Sequence, residues 1–144
     1  MAEVGNVFVR GGDGDDAIAV TSGSNVLDGG AGSNFLVGGS GADGGTDTFF
    51  TDLRDGKTSW NTVVNFHAGD AATVWGFDPA ASSCRWDGVA GAQGYTGATL
   101  RIDLHGAGRT DASITFAGLT SEQGSTMGIV TGNIAGQTYL LIRA

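Results

Sequence analysis

A large aliphatic residue falls at every ninth position through the first third of the chain: Val9, Ile18, Leu27 and Leu36. Each is the eighth residue of a unit with the pattern G-G-x-G-x-D-x-U-x, where U is a large aliphatic side chain. Gly11-Gly12-Asp13-Gly14-Asp15-Asp16-Ala17-Ile18-Ala19 fits throughout, and Gly29-Gly30-Ala31-Gly32-Ser33-Asn34-Phe35-Leu36-Val37 fits with Asn in place of Asp. Residues 20–28 keep Gly23, Asn25 and Leu27 in register. Residues 2–10 keep Gly5 and Val9 but carry Val7 at the sixth position. The first six residues of a unit predict a turn, where glycine supplies positive φ. The last three predict a short strand with U pointing inward. Two units close one coil, so alternate units stack on one edge, and the U side chains form a narrow core. The competing reading is a flexible Gly/Asp-rich linker, which gives no reason for an aliphatic residue at every ninth position.

The next unit is interrupted. Gly38-Gly39-Ser40-Gly41-Ala42-Asp43 starts in register, and Gly45-Thr46-Asp47-Thr48-Phe49-Phe50 restarts the pattern, so either Asp43 or Asp47 fills the sixth position. Beyond it the period changes to two. Trp60, Thr62, Val64 and Phe66 alternate with Asn61, Val63 and Asn65, and Thr73-Val74-Trp75-Gly76-Phe77 follows the turn Ala68-Gly69-Asp70. Leu100, Ile102 and Leu104 alternate with Arg101 and Asp103, Ile114 and Phe116 flank Thr115, and Thr138-Tyr139-Leu140-Leu141-Ile142 comes last. This patterning with Gly-rich turns predicts antiparallel strands. Thr120-Ser121-Glu122-Gln123 predicts one short helical turn stopped by Gly124. The expected architecture is all-β: a parallel β-roll over 1–50, continuing as one unit into an antiparallel, β-sandwich-like cap over 51–144 that covers the end of the roll.

Charge sharpens the reading of the turns. The chain has net charge −8. Its first 55 residues hold Glu3, Asp13, Asp15, Asp16, Asp28, Asp43, Asp47, Asp52 and Asp55 against Arg10 and Arg54. Self-repulsion of these acids opens the roll unless a cation offsets it. A cation between stacked turns would take backbone carbonyls and the sixth-position side chains, and an all-oxygen set suits calcium better than zinc or copper. Stacking alternate units pairs Asp16 with Asn34, and Asn25 with Asp43 or Asp47. Carbonyls of Gly11, Gly12, Asp13, Gly14, Gly29, Gly30, Ala31 and Gly32 complete the expected set. Because Asn is neutral, about one to three calcium ions are expected, held more weakly than in a full Asp array. No basic patch suits nucleic acid, and no apolar run reaches membrane-spanning length. The first residues do not follow a signal-peptide pattern. The repeat is already under way at Met1, which predicts a piece of a longer protein whose catalytic part, if it has one, lies upstream.

Gly45-Thr46-Asp47-Thr48-Phe49-Phe50, followed by Val63-Val64-Asn65-Phe66-His67-Ala68-Gly69-Asp70, resembles the C-terminal region of RTX (hemolysin-type calcium-binding repeat) proteins. Secreted serralysin-type metalloproteases and alginate epimerases carry similar regions. The resemblance is strong over 11–50, weaker over 60–77 and faint beyond. It implies a secreted or cell-surface protein, export by type I secretion machinery, and folding triggered by extracellular calcium. Asp103-Leu104-His105-Gly106-Ala107-Gly108-Arg109-Thr110-Asp111 looks like a degraded calcium loop, with His105 and Ala107 where oxygen ligands are wanted. It reads as a hairpin turn without an ion.

Catalysis finds little support. His67 and His105 are the only histidines, and no nucleophile elbow or zinc-binding helix accompanies them. Cys84, the single cysteine, reads as a structural thiol. The aromatic residues leave a choice. Trp60 and Trp75 read as core. Trp86, between Arg85 and Asp87, either packs inward or stacks on a sugar ring while the charges bond its hydroxyls. Three functions therefore compete: a calcium-binding secretion and folding domain, which is the principal reading, a calcium-dependent polysaccharide-binding module, and an adhesin spacer.

Overall fold

The units coil as the ninefold beat requires, placing successive strands on two sheets in turn. In the computed structural model residues 2–3, 6–92, 94–106 and 108–144 are described. Gly5 of the first unit and Ala107 of the degraded loop lie outside the described residues, as do Met1, Val4 and Gln93. β1 (Ala2–Glu3), β3 (Ala17–Val20), β5 (Gly32–Val37) and β7 (Ser59–Val64) pair in parallel in one sheet. β2 (Phe8–Arg10), β4 (Val26–Asp28), β6 (Thr48–Asp52) and β8 (Ala71–Trp75) do the same in the other. The first sheet goes on through β11 (Ala112–Ala117), β10 (Tyr95–Asp103) and β9 (Ser83–Ala92), in the order β1-β3-β5-β7-β11-β10-β9. The second gains β13 (Gln137–Arg143) and β12 (Gly128–Ile134), in the order β12-β13-β8-β6-β4-β2.

The expected class, a roll running into antiparallel strands, is what the chain adopts. The change of direction comes later than the period suggests. β7 and β8, expected to be antiparallel, are parallel to β5 and β6, so the parallel coil runs to Trp75. β11 also joins β7 in parallel, and among the described residues antiparallel pairing is confined to β9-β10-β11 and β12-β13-β8. The physical reason is that a coil needs an inward side chain and a bend at each edge, and both persist after the Gly-Gly pairs have gone.

Register places the core. Ile18, Leu36 and Val63 align across the first sheet, and Val9, Leu27, Phe49 and Ala72 across the second. All seven are buried. Each large side chain so buried stabilises the fold by about 1.5–3 kcal/mol. The expectation that Trp60 and Trp75 are core does not hold, for Asn61, Val63, Ala72 and Val74 take the inward positions. In a strand of period two that turns both Trp side chains outward. The short helix α1 (Ser121–Ser125) has the expected capping box, Thr120 with Gln123. Gly124 does not stop it. A Cβ there would lie 2.6 Å from that of Ala98, so glycine lets the helix lie directly on β10.

Candidate metal centre

The loops stack on two edges of the roll. Residues 11–16, 29–31 and 53–58 bend on the first edge, and residues 21–25, 38–47 and 65–70 on the second. The sixth-position residues form a column along each edge.

On the first edge the column is Asp16, Asn34 and Asn61. Asn34 Oδ1 accepts the Asp16 backbone N–H at 3.1 Å, and Asn34 Nδ2 donates to Asn61 Oδ1 at 3.0 Å. Asn61 Nδ2 in turn donates to the Thr51 hydroxyl at 2.8 Å. An amide both donates and accepts, whereas a carboxylate only accepts, so the column is satisfied as far as Asp16. There it ends in a charge: Asp16 Oδ2 is buried and has no hydrogen-bond partner among the described residues. The turns beside it approach as closely as backbones can. A Cβ on Gly30 would fall 1.9 Å from the Gly12 carbonyl oxygen, and one on Gly32 would fall 2.1 Å from that of Gly14. A buried carboxylate oxygen packed against Gly11, in the same turn as the closely stacked Gly12 and Gly14 carbonyls, fits a hard cation such as calcium. Among the described residues no three His, Cys, Asp or Glu side chains group where they could hold a metal, so such an ion would draw mostly on carbonyls.

The expected carbonyl set is not equally free. Gly30 O already accepts Asn34 Nδ2 at 3.1 Å and the Ser59 hydroxyl at 2.8 Å, which occupies both lone pairs. Among the described residues Gly12 O accepts only the Ala31 N–H, at 3.0 Å. Asp13 turns away from the column to Lys57, whose Nζ lies 2.9 Å from both of its carboxylate oxygens. Gly11 is squeezed against Asp16, with a Cβ there only 2.6 Å from Oδ2, and Gly29 stands in the same relation to Asn34.

On the second edge the column is Asn25, Asp47 and Asp70. Asp47, not Asp43, holds the sixth position, because Thr48 pairs with Val26 and Phe49 with Leu27. Its Oδ1 accepts both the backbone N–H of Asn25 at 3.1 Å and its Nδ2 at 2.8 Å, and its Oδ2 accepts Gly39 N–H at 2.8 Å. Asp70 accepts the N–H of Asp47 at 2.8 Å and of His67 at 3.0 Å. Burial raises its carboxyl above the usual range, and those two N–H groups act against that rise. Asp43 sits outside the column on the inserted turn. It accepts Gly23 N–H at 2.7 Å and Gly45 N–H at 3.0 Å, which hold its carboxyl below the ordinary value. The second edge is thus cross-linked by its own hydrogen bonds.

Asn61 and Asp70 escaped the sequence reading, since their loops keep only Gly56 and Gly69 of the glycine pattern. The signal was present in Asn61-Thr62-Val63 and Asp70-Ala71-Ala72, which preserve the sixth-to-eighth spacing. Of the residues set aside for a sugar, Arg85 and Asp87 are exposed, while Trp86 packs inward on Phe116 with ring centroids 5.9 Å apart. The ring also lies beside Gly124, so it does not stand open between the two charges. Cys84 is partly buried against the core, and burial raises its thiol pKa. In the degraded loop Asp103 accepts His105 and Gly108 N–H, and Asp111 accepts Leu104 N–H. Those carboxylates tie the β10–β11 hairpin to its own backbone.

Residues 3–19 and 10–45 match the RTX calcium-binding nonapeptide repeat, in four copies. No curated protein and no solved structure matches the chain. No helix among the described residues is long and apolar enough to cross a membrane.

Proposed function

We propose, from the premise that this chain carries RTX calcium-binding nonapeptide repeats over residues 3–45, that it is the calcium-organised module of a secreted protein, exported by a type I system and folded by calcium outside the cell. The observation that carries the metal part is the buried, unpartnered Asp16 Oδ2 beside the stacked turns. Asp16 would hold the ion with the carbonyls of Gly12 and Gly14. The bound cation supplies the positive charge that the acidic N-terminal stretch lacks. Asn34 orients Asp16 by accepting its N–H, and the Asn25–Asp47–Asp70 column holds the opposite edge without help. This reading narrows the expected one to three ions to one on the first edge. The chain has no catalytic role of its own in this reading, and it works extracellularly or at a cell surface.

Calcium titration followed by circular dichroism and calorimetry tests the metal site. The expected result is one ion per chain, with affinity lowered at least about tenfold in Asp16→Ala, since a charge-assisted contact is worth about 1.5–3 kcal/mol. Asp47→Asn keeps wild-type affinity. Unchanged calcium-dependent folding in Asp16→Ala would put the ion elsewhere. For export, a passenger fused ahead of the full chain reaches the medium through a type I exporter. Equal export after removal of the last fifty or so residues would refute the secretion role.

A further inference from the structure

The outer face of the first sheet carries a row of side chains that the metal site does not use. Register sets Ser33 of β5 beside Trp60 of β7, Trp60 beside Ser113 of β11, Ser113 beside Arg101 of β10, and Arg101 beside Arg85 of β9. At a strand spacing of about 4.8 Å the row runs about 19 Å across five strands. The strand pair β9–β10 curls over it. The register shifts between Ala98 and Leu100, and Gly91, at φ 132°, brings the backbone down where a Cβ would meet Thr115 at 2.8 Å. Tyr95 then reaches across to Phe35, edge to face, with centroids 4.7 Å apart. The result is a groove of about 300 Å³ whose lining includes Ser33, Phe35, Trp60, Thr62, Arg101 and Ser113.

The chemistry of this groove is mixed in a particular way. Trp60 offers a partly exposed ring, Ser33 offers an exposed hydroxyl, and one end is positive. Arg101 Nε bonds Asp87 at 2.6 Å, and Arg85 stands 3.9 Å from the same carboxylate. Two guanidiniums share one acid in a chain of net charge −8 with only seven Lys and Arg. An aromatic face binds the apolar side of a pyranose, hydroxyls match its hydroxyls, and a guanidinium fork matches a carboxylate.

We propose that this groove binds an acidic oligosaccharide, with one sugar ring on Trp60 and a uronate carboxylate on Arg101, the guanidinium that lines it, while Arg85 adds positive charge beside it. The site is distinct from the Trp86 ring, which faces inward, and it does not depend on where calcium binds. The test is titration calorimetry of the full chain at one fixed calcium concentration. The probes are tetramers of galacturonate, glucuronate, mannuronate and guluronate, with cellotetraose as the uncharged comparison. At least one uronate tetramer binds, and cellotetraose binds at least about tenfold more weakly, the loss expected for one charge-assisted contact. Trp60→Leu keeps apolar bulk, removes the ring and weakens uronate binding by up to about tenfold, the upper end for one aromatic contact. Arg101→Gln, at a part-exposed side chain, lowers uronate binding to the cellotetraose level while circular dichroism stays that of the wild type. The proposal falls if no uronate tetramer binds, if cellotetraose binds as well as the uronates, or if both variants bind like the wild type.

Discussion

The glycines of the first edge differ in what they do, although the repeat writes them alike. Gly12 has φ 101° and open space where a Cβ would be, while Gly30 has φ 77° and a carbonyl 1.9 Å from that point. Alanine at Gly12 meets backbone strain alone, which costs about 1–3 kcal/mol. Alanine at Gly30 meets the same strain and must also push two turns apart. Gly30→Ala is therefore expected to lower the denaturation midpoint clearly further than Gly12→Ala. Equal losses would mean that the turns are not stacked so closely. The same distinction between shape and charge separates the two kinds of sixth-position residue. Asn34 and Asn61 pass hydrogen bonds along the column, and Asp16 ends it with a charge.

The strands show how far the sequence could be read and where it stopped. The first four units were legible because a glycine at the fourth position and an aliphatic residue at the eighth recur together, so Ile18, Leu27 and Leu36 are buried as their spacing requires. The choice between Asp43 and Asp47 was not legible, since both begin a plausible unit and only the pairing of Phe49 with Leu27 separates them. Phe49→Ala tests that register. It is expected to cost about 3–5 kcal/mol in denaturant unfolding, the range for a fully buried ring. A loss below about 1 kcal/mol would mean that Phe49 is not in the core column. The direction of β7 and β8 is not in their alternation, which reports only that a strand has two faces, not the direction of its partner. On both strands the larger aromatic, Trp60 and Trp75, faces out while Val63 and Val74 face in. A narrow roll core accepts valine where it has no room for indole. The groove was not legible at all. It is made by a register that brings Ser33, Trp60, Ser113, Arg101 and Arg85 into line from five separate segments.

Taken whole, the molecule has one core under two sheets, and the path of the chain through them is uneven. Successive coils link residues 18 apart, as in the Asn34–Asp16 and Asn25–Val7 bonds. β7 must wait for β11, since Val63 pairs with Phe116 about fifty residues later. Loop-closure entropy grows with the logarithm of length, which makes that step about 1 kcal/mol costlier than closing one coil. The β7–β11 seam thus sets an order of assembly, with the coils forming first and the seam last. In stopped-flow refolding at saturating calcium, Leu27→Ala should slow folding. Ile114→Val, in β11, should leave the folding rate nearly unchanged and speed unfolding. The reverse pattern would make the C-terminal strands the nucleus. A module that assembles in this order has its acidic coils ordered while the strand that completes the first sheet is still searching for its place.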